Sequence, residues 1–235
     1  MSKESLILQE ESSYKNMTQK GRQRRMLLKQ ALAFSSIAAI AASCNKNDDM
    51  VMSQDGIDLG SGDIGILNYA FALEQLEAAF YTKVAANPYN NIPAMELSLF
   101  KDIRDHEIAH REFFRKALGS KAIPDLEVDF SSIDFTSRST VLATAKAFED
   151  LGVSAYNGAG HLISSPDYLV LAGKIVSVEA RHAAYIRDLI SNGSFADNTV
   201  VDAMGLDTSR KPADVLMIAG AYIKSKINAS NLPNE

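Results

Sequence analysis

Three shortages in the sequence exclude several classes of protein. The 235 residues contain one cysteine, Cys44, so an internal disulfide is excluded. The apolar run from Ala31 to Ala42 is too short for a membrane-spanning helix, which needs roughly 20 apolar residues. Basic residues are outnumbered, with 24 Lys and Arg against 29 Asp and Glu, and they form no basic patch. We therefore expect no nucleic-acid partner.

The N-terminal segment has the order of features found in export signals. Arg24-Arg25 is a twin-arginine pair, the apolar run follows, and Ala41-Ala42-Ser43-Cys44 resembles a lipoprotein processing box. We interpret residues 1–44 as a twin-arginine-type lipoprotein signal segment with lipid attached to Cys44. The alternative is a short buried helix with a chance cysteine. The interpretation predicts a protein exported to the periplasm or cell envelope and anchored to a membrane by its lipid.

The chain after Cys44 is more acidic than the chain as a whole. Seven of the 24 basic side chains precede Cys44, but only three of the 29 acidic ones do. Residues 45–62 are rich in Asn, Asp, Ser and Gly, a composition that predicts a flexible tether. Residues 63–235 are long enough for one domain with a hydrophobic core, and we place the folded domain there.

Apolar periodicity predicts an all-α domain with four long helices and an extra C-terminal helix. The predicted helices span residues 64–84, 94–118, 138–158, 166–190 and 212–227. Short loops join the first helix to the second and the third to the fourth, which favours antiparallel neighbours. The long connection between the second and third helices lets the second pair cross over, giving a four-helix bundle. Within this connection, residues 126–130 alternate like a strand, but no partner strand is evident.

Acidic and histidine side chains interrupt the apolar stripes of the four long helices. Two of the four histidines follow a glutamate by three residues, a spacing that places both side chains on one helix face. These pairs are Glu107 with His110 and Glu179 with His182. On the other two helices, a glutamate in the stripe precedes a tyrosine by seven residues. These pairs are Glu74 with Tyr81 and Glu149 with Tyr156.

Four inward carboxylates need positive partners, because unpaired charges in a helical core are very costly. Two divalent cations would balance them. One glutamate from each of two helices, with Glu-x-x-His from each of the others, is the ligand plan of di-iron and di-manganese bundles. We therefore predict that the metal ligands are Glu74, Glu107, His110, Glu149, Glu179 and His182. Glu77 is the alternative to Glu74, but the heptad position of Glu74 and its match to Glu149 favour Glu74.

These features give the chain a resemblance to the ferritin-like superfamily over about residues 64–190, and within it to the exported, desiccation-related branch. The residues that carry the resemblance are Asn68, Leu73-Glu74, Phe80-Tyr81, Glu107, His110, Glu149, Tyr156, Glu179 and His182. The resemblance implies two iron or manganese ions bridged by Glu107 and Glu179. Glu74 and Glu149 would be terminal ligands, and each histidine would bind one ion. Tyr81 and Tyr156 would then hydrogen-bond to ligand carboxylates.

The resemblance implies a redox function, in which the metal pair reacts with dioxygen or peroxide in oxidative or desiccation stress. The export signal departs from cytosolic storage ferritins and counts against an iron-storage cage. One alternative is a structural, stress-protective envelope protein with an inactive or empty site. Another is a zinc metalloprotease, because His106-Glu107-x-x-His110 matches H-E-x-x-H, although no third ligand follows in G-x-x-H. The sequence does not choose between iron and manganese, and it leaves an oligomer open.

The export interpretation predicts the effect of changes at two places. Replacing both Arg24 and Arg25 by lysine should block export, because the twin-arginine signal is lost. Cys44→Ala should release soluble protein or leave the precursor uncleaved, because the residue that carries the lipid is gone. Cell fractionation and mass spectrometry of the mature N-terminus measure both outcomes. A mature cytoplasmic protein that begins upstream of Arg24 would contradict the interpretation.

Overall fold

Four long helices make up most of residues 55–233, which are the residues that the structure, a computed structural model, describes. They are α1, Gly62–Ala86; α2, Ala94–Leu118; α3, Arg138–Ala159; and α4, Pro166–Ile190. A short helix, α5, spans Pro212–Ala219, and two short parallel strands, β1 at Ile57–Asp58 and β2 at Ile227–Asn228, pair with each other. The prediction of an all-α bundle with an extra helix is confirmed. The signal segment with Cys44, and residues 45–54 of the tether, lie outside the described residues.

Local sequence signals set several helix ends. Pro166 occupies the first turn of α4, and the Ser165 hydroxyl accepts a hydrogen bond from the Tyr168 amide. Ser137 caps α3 in the same way. Gly119 ends α2 with a φ of 55°, a conformation that glycine adopts without strain.

The long helices pack as two antiparallel pairs, α1 with α2 and α3 with α4. Aromatic side chains join the pairs at one end of the bundle. The ring centroid of Phe80 on α1 lies 5.1 Å from that of Phe148 on α3. It lies at the same distance from the ring of its neighbour in α1, Tyr81. Within residues 55–233, no helix combines the length and the apolar composition that spanning a bilayer requires.

The long connection between α2 and α3 is paired with the segment that follows α5. Val128 forms an antiparallel bridge with Ile223. The Glu127 carbonyl accepts a hydrogen bond from the Lys224 amide at 2.8 Å. The strand-like segment of residues 126–130 therefore has a pairing partner. The sequence did not reveal it because the partner residues lie within the predicted fifth helix, 212–227.

Helix α5 is shorter than its apolar pattern predicts. The prediction that it reaches residue 227 is wrong, because it ends at Ala219. Exposed Lys224 and Lys226 alternate with the less exposed Ile223, Ser225 and Ile227, which is the period of a strand rather than of a helix. Ile227 in this segment pairs with Ile57 of β1.

The last residues assigned to the tether belong to the folded domain. Ile57 and Asp58 form β1, and Leu59 is completely buried in the core. Here the structure corrects the expectation of a flexible tether up to residue 62. The polar composition of residues 45–62 as a whole concealed two apolar side chains, Ile57 and Leu59, that pack against the domain.

Gly158 lets the chain around Arg210 cross α3 at close range. A Cβ atom at Gly158 would lie 1.7 Å from the Arg210 carbonyl oxygen, so Gly158→Ala must displace that backbone. We expect Gly158→Ala to lower the free energy of unfolding by about 1–3 kcal/mol, the usual cost of overpacking. The control, Gly173→Ala on the open surface of α4, should raise it by about 0.5–1 kcal/mol. Chemical denaturation measures both changes, and equal midpoints would contradict this close packing.

Candidate metal centre

The structure brings all six predicted ligand side chains together at mid-length of the four long helices. The four glutamates are completely buried, and His182 is 5% exposed. The side chains form two groups, in each of which the potential ligand atoms lie within 4.8 Å of one another. The His110 group comprises Glu74, Glu107, His110 and Glu179, and the His182 group comprises Glu107, Glu149, Glu179 and His182.

Glu107 and Glu179 each divide their two carboxylate oxygens between the groups. Glu107 places Oε2 3.7 Å from His110 Nδ1 and Oε1 3.0 Å from His182 Nδ1. Glu179 places Oε1 2.9 Å from His110 Nδ1 and Oε2 3.6 Å from His182 Nδ1. This is the arrangement in which two carboxylates can bridge a pair of metal ions.

Each remaining glutamate belongs to one group and is held by a tyrosine of the other helix pair. Tyr81 of α1 donates a hydrogen bond to Glu149 Oε1 at 2.5 Å. Tyr156 of α3 donates one to Glu74 Oε1. The second oxygen of each glutamate lies 3.4 Å from the Nδ1 atom of its group's histidine. Both tyrosines thus make the hydrogen bonds to carboxylates that the sequence predicts, and one oxygen of each glutamate stays directed at the site.

Eight ligand atoms that face the centre are buried without a hydrogen-bond partner in residues 55–233. They are Oε2 of Glu74 and Glu149, both carboxylate oxygens of Glu107 and Glu179, and Nδ1 of His110 and His182. Although several nitrogen–oxygen distances are short, these contacts lack hydrogen-bond geometry. Buried polar atoms in proteins are normally paired. Unpaired oxygen and nitrogen atoms that converge on one place are suited to metal ions, which accept their lone pairs.

The pKa values show how the protein balances these charges. Burial acts to lower the pKa of His110 and His182, but the surrounding carboxylates outweigh burial and raise both to about 12. Burial raises the pKa of Glu149 to about 8 and that of Glu74 well above its usual value. Burial would also raise the pKa of Glu107, but the two histidines outweigh it and lower the pKa to about 2. The metal-free site therefore retains protons that cations would displace.

Glu77 is a fifth buried glutamate beside the centre. Glu74 and Glu77 were alternatives for one inward position, but the structure buries both, at 0% and 3% exposure. Glu77 occupies space beside Gly152, where a Cβ atom would lie 3.0 Å from Glu77 Oε1. Burial, and then the charges of Glu107 and other carboxylates, raise the pKa of Glu77 well above its usual value. Glu77 is in neither group, and its raised pKa favours the neutral acid.

His106 is a neighbour of the centre that sequence reasoning considered only as a protease ligand. Its Nδ1 atom lies 2.9 Å from His182 Nε2, the nitrogen that faces away from the carboxylates, and the two rings are nearly parallel. A contact of this kind fixes the orientation of a metal-binding histidine. Within residues 55–233, neither group of potential ligands includes His106. The geometry therefore does not support a zinc site made of His106 and His110.

The shifted pKa values predict how the stability of the metal-free protein depends on pH. Between pH 4.5 and about 8, folded Glu149 keeps a proton that the unfolded chain releases, so stability falls as pH rises. Between pH 6.5 and about 12, His110 and His182 act in the same direction. Below pH 4.5, Glu107 acts in the opposite direction, because its pKa is lowered. The opposite trends meet near pH 4.5, so metal-free protein should lose stability steadily as pH rises from about 5 to about 8.

Urea unfolding at pH 5, 6.5 and 8 in the presence of a chelator measures this dependence. Each proton that only the folded state retains lowers the free energy of unfolding by about 1.4 kcal/mol per pH unit. Metal-loaded protein is the control and should lack this loss, because its carboxylates are held as anions by the cations. A higher urea midpoint at pH 8 than at pH 5 in metal-free protein would contradict the charge distribution described above.

Comparison with known families agrees with the fold and with the position of the site. A family model described as a ferritin-like domain matches residues 62–192, which is more than half of the chain. The match covers the four long helices and all six clustered side chains. No curated protein matches the chain. The extent of the match, together with the helical bundle, shows that the chain belongs to the ferritin-like domain family.

Proposed function

We propose that the bundle binds a pair of iron or manganese ions between its four long helices. The His110 group would hold one ion and the His182 group the other, with Glu107 and Glu179 shared. The observation that carries the proposal is the division of each shared carboxylate between two histidines. A site for a single ion has no use for that arrangement. Mostly oxygen ligands, with one imidazole for each ion, suit iron and manganese.

We propose further that the metal pair reacts with dioxygen or peroxide. When bound, the metal pair would supply two electrons, one from each ion on passing from the divalent to the trivalent state, and these with two protons would reduce dioxygen to peroxide, or peroxide to two waters. The protein contributes buried carboxylates, whose negative charge favours the higher metal charge in a region of low dielectric. Tyr81 and Tyr156 keep Glu149 and Glu74 oriented through their hydrogen bonds.

We also propose that the domain acts outside the cytoplasm in oxidative or desiccation stress, anchored by lipid on Cys44. The support is the order of twin arginine, apolar run and cysteine in residues 1–44. The twin-arginine signal resembles those of an export route that carries folded proteins, so the site would fill with metal in the cytoplasm before export. Loading before export matters because affinity alone favours copper or zinc over manganese and iron. One acyl chain binds a membrane only marginally, so anchoring needs the several chains of a processed lipoprotein.

A structural, stress-protective protein with an empty site is the second candidate. One observation favours it: the carboxylates raise the pKa of His110 and His182 to about 12, so two imidazolium groups offset part of the buried negative charge without metal. The cluster can therefore exist in folded protein that holds no ion. This candidate predicts a melting temperature that does not depend on iron or manganese.

The metal content of the exported protein tests the proposal. The parent protein should hold about two iron or manganese ions per chain, and Glu107→Ala with Glu179→Ala should reduce binding to background, because both shared carboxylates are lost. Metal at 100 times Kd should stabilise the parent by about 2.7 kcal/mol for each ion bound. This stabilisation corresponds to a rise in melting temperature of roughly 5–10 °C per ion for a domain of this size. Elemental analysis, thermal melting and assays of dioxygen and peroxide consumption provide the readouts.

The matched control removes two exposed carboxylates from the same two helices, Glu112 of α2 and Asp167 of α4. Glu112→Ala with Asp167→Ala should leave metal content unchanged, because neither side chain belongs to a ligand group. Parent-like metal content in the Glu107 and Glu179 double variant would refute the proposed site. Equal melting temperatures with and without metal would favour the structural candidate. One zinc per chain, lost on His106→Ala, would favour the protease alternative.

A further inference from the structure

An apolar pocket lies at the end of the bundle where α1 and α4 begin and α2 and α3 end. All four helices contribute to its walls, which carry no charged side chain. The cavity volume is about 30 Å³. It holds about two water-sized molecules, since each needs roughly 10–15 Å³ on the same measure. The Tyr69 hydroxyl has no hydrogen-bond partner within residues 55–233, but protein encloses it, so it adds little polarity to the pocket surface.

The inner wall of the pocket adjoins the His110 group. Three lining residues each stand one helical turn from a member of that group. These pairs are Ala70 with Glu74, Phe114 with His110, and Ile175 with Glu179. Tyr156 also lines the pocket, and its hydroxyl donates the hydrogen bond to Glu74. A molecule in the pocket would therefore lie beside the His110 group rather than the His182 group.

The internal repeat explains why the pocket lies at one end of the bundle. Aligning Glu74 with Glu149 and Glu107 with Glu179 matches small lining residues with larger residues in the other half. Three of the four lining alanines have larger counterparts, and these pairs are Ala155 with Phe80, Ala159 with Val84, and Ala172 with Phe100. The fourth, Ala70, matches another alanine, Ala145. The three larger counterparts are at most 1% exposed. Large side chains therefore fill the corresponding space beside the His182 group, whereas alanines leave it open beside the His110 group.

We propose that this pocket admits dioxygen and holds it beside the His110 group, an inference that deepens the proposed function and rests on it. The cavity is too small for an organic substrate of ordinary size. Peroxide would lose hydrogen bonds to water that apolar walls cannot replace. Dioxygen has none to lose, and dry apolar cavities also bind xenon. Of the two oxidants in the proposed function, the pocket selects dioxygen and delivers it to one of the two metal positions.

Xenon binding to the full chain tests the pocket without relying on metal or activity. Xenon should bind the parent in this pocket, as detected by crystallography under xenon pressure or by xenon NMR. Ala172→Phe, which copies Phe100, should abolish that binding by filling the space. Ala159→Val, which copies Val84, is a smaller change and should weaken it. Ala147→Phe places the same ring on the exposed face of α3 and should leave xenon binding unchanged.

Oxidation of the metal-loaded chain then tests delivery. Ala172→Phe should slow oxidation by dioxygen about tenfold or more, corresponding to a barrier raised by about 1.4 kcal/mol. Its metal content and its reaction with peroxide should match those of the Ala147→Phe control. If Ala172→Phe perturbs folding, Ala159→Val provides the same comparison with a smaller expected effect. Unchanged dioxygen oxidation in a variant that has lost xenon binding would overturn the proposal while leaving the proposed function intact.

Two outcomes separate a failure of the pocket from a failure of the metal site. A parent chain that binds xenon but no iron or manganese would refute the proposed function, and with it the delivery of dioxygen, while showing that the cavity accepts apolar gases. A parent chain that binds metal and reacts with dioxygen, yet takes up no xenon in the pocket, would overturn the inference alone. Slower reaction with peroxide as well as dioxygen in Ala172→Phe would also overturn it, because the substitution would then have disturbed the metal site.

Discussion

The burial of four carboxylates in one helical core is the constraint on which the rest of the structure depends. An unpaired buried charge costs several kcal/mol even after the protein relaxes around it. The chain meets this cost with two histidines that each face three carboxylates, and with two tyrosines that donate hydrogen bonds from the opposite helix pair. Each of these groups has to be positioned by a rigid helix, so the bundle and the centre require each other.

The two halves of the bundle repeat their ligands but not their surroundings. His182 has a second contact through His106, whereas the position that corresponds to His106 in α4 is Val178. Glu77 likewise has no equivalent side chain in the other half, because the matching position of α3 is a glycine, Gly152, which lies beside it. The pocket is a third difference, confined to the end beside the His110 group. A symmetric set of potential ligands thus lies in an asymmetric environment, so the His110 group and the His182 group differ in what can reach them and in how firmly their histidines are oriented.

Sequence reasoning succeeded where a short spacing determines a contact. The bounds of α2 and α4 and the convergence of Glu107 and Glu179 follow from helical periodicity, together with the repeated Glu-x-x-His spacing. It failed where a contact joins residues far apart in the chain. The stacking of His106 on His182, the space beside Gly152 that accommodates Glu77 and the pairing of Ile57 with Ile227 all depend on how separate elements dock. Alanines at helical positions likewise gave no sign of a cavity until the opposing side chains were in place.

The ligands are distributed unequally between the two helical hairpins, and this bears on the order of folding. The α1–α2 hairpin supplies Glu74, Glu107 and His110, three of the four members of the His110 group, and the α3–α4 hairpin supplies only Glu179. The converse holds for the His182 group. Each hairpin, formed from contacts local in sequence, thus carries most of one group of potential ligands and contributes one carboxylate to the other group. An ion captured by one hairpin would gain its last ligand only when the two hairpins dock. Metal would then act as a cross-link that joins the halves of the chain.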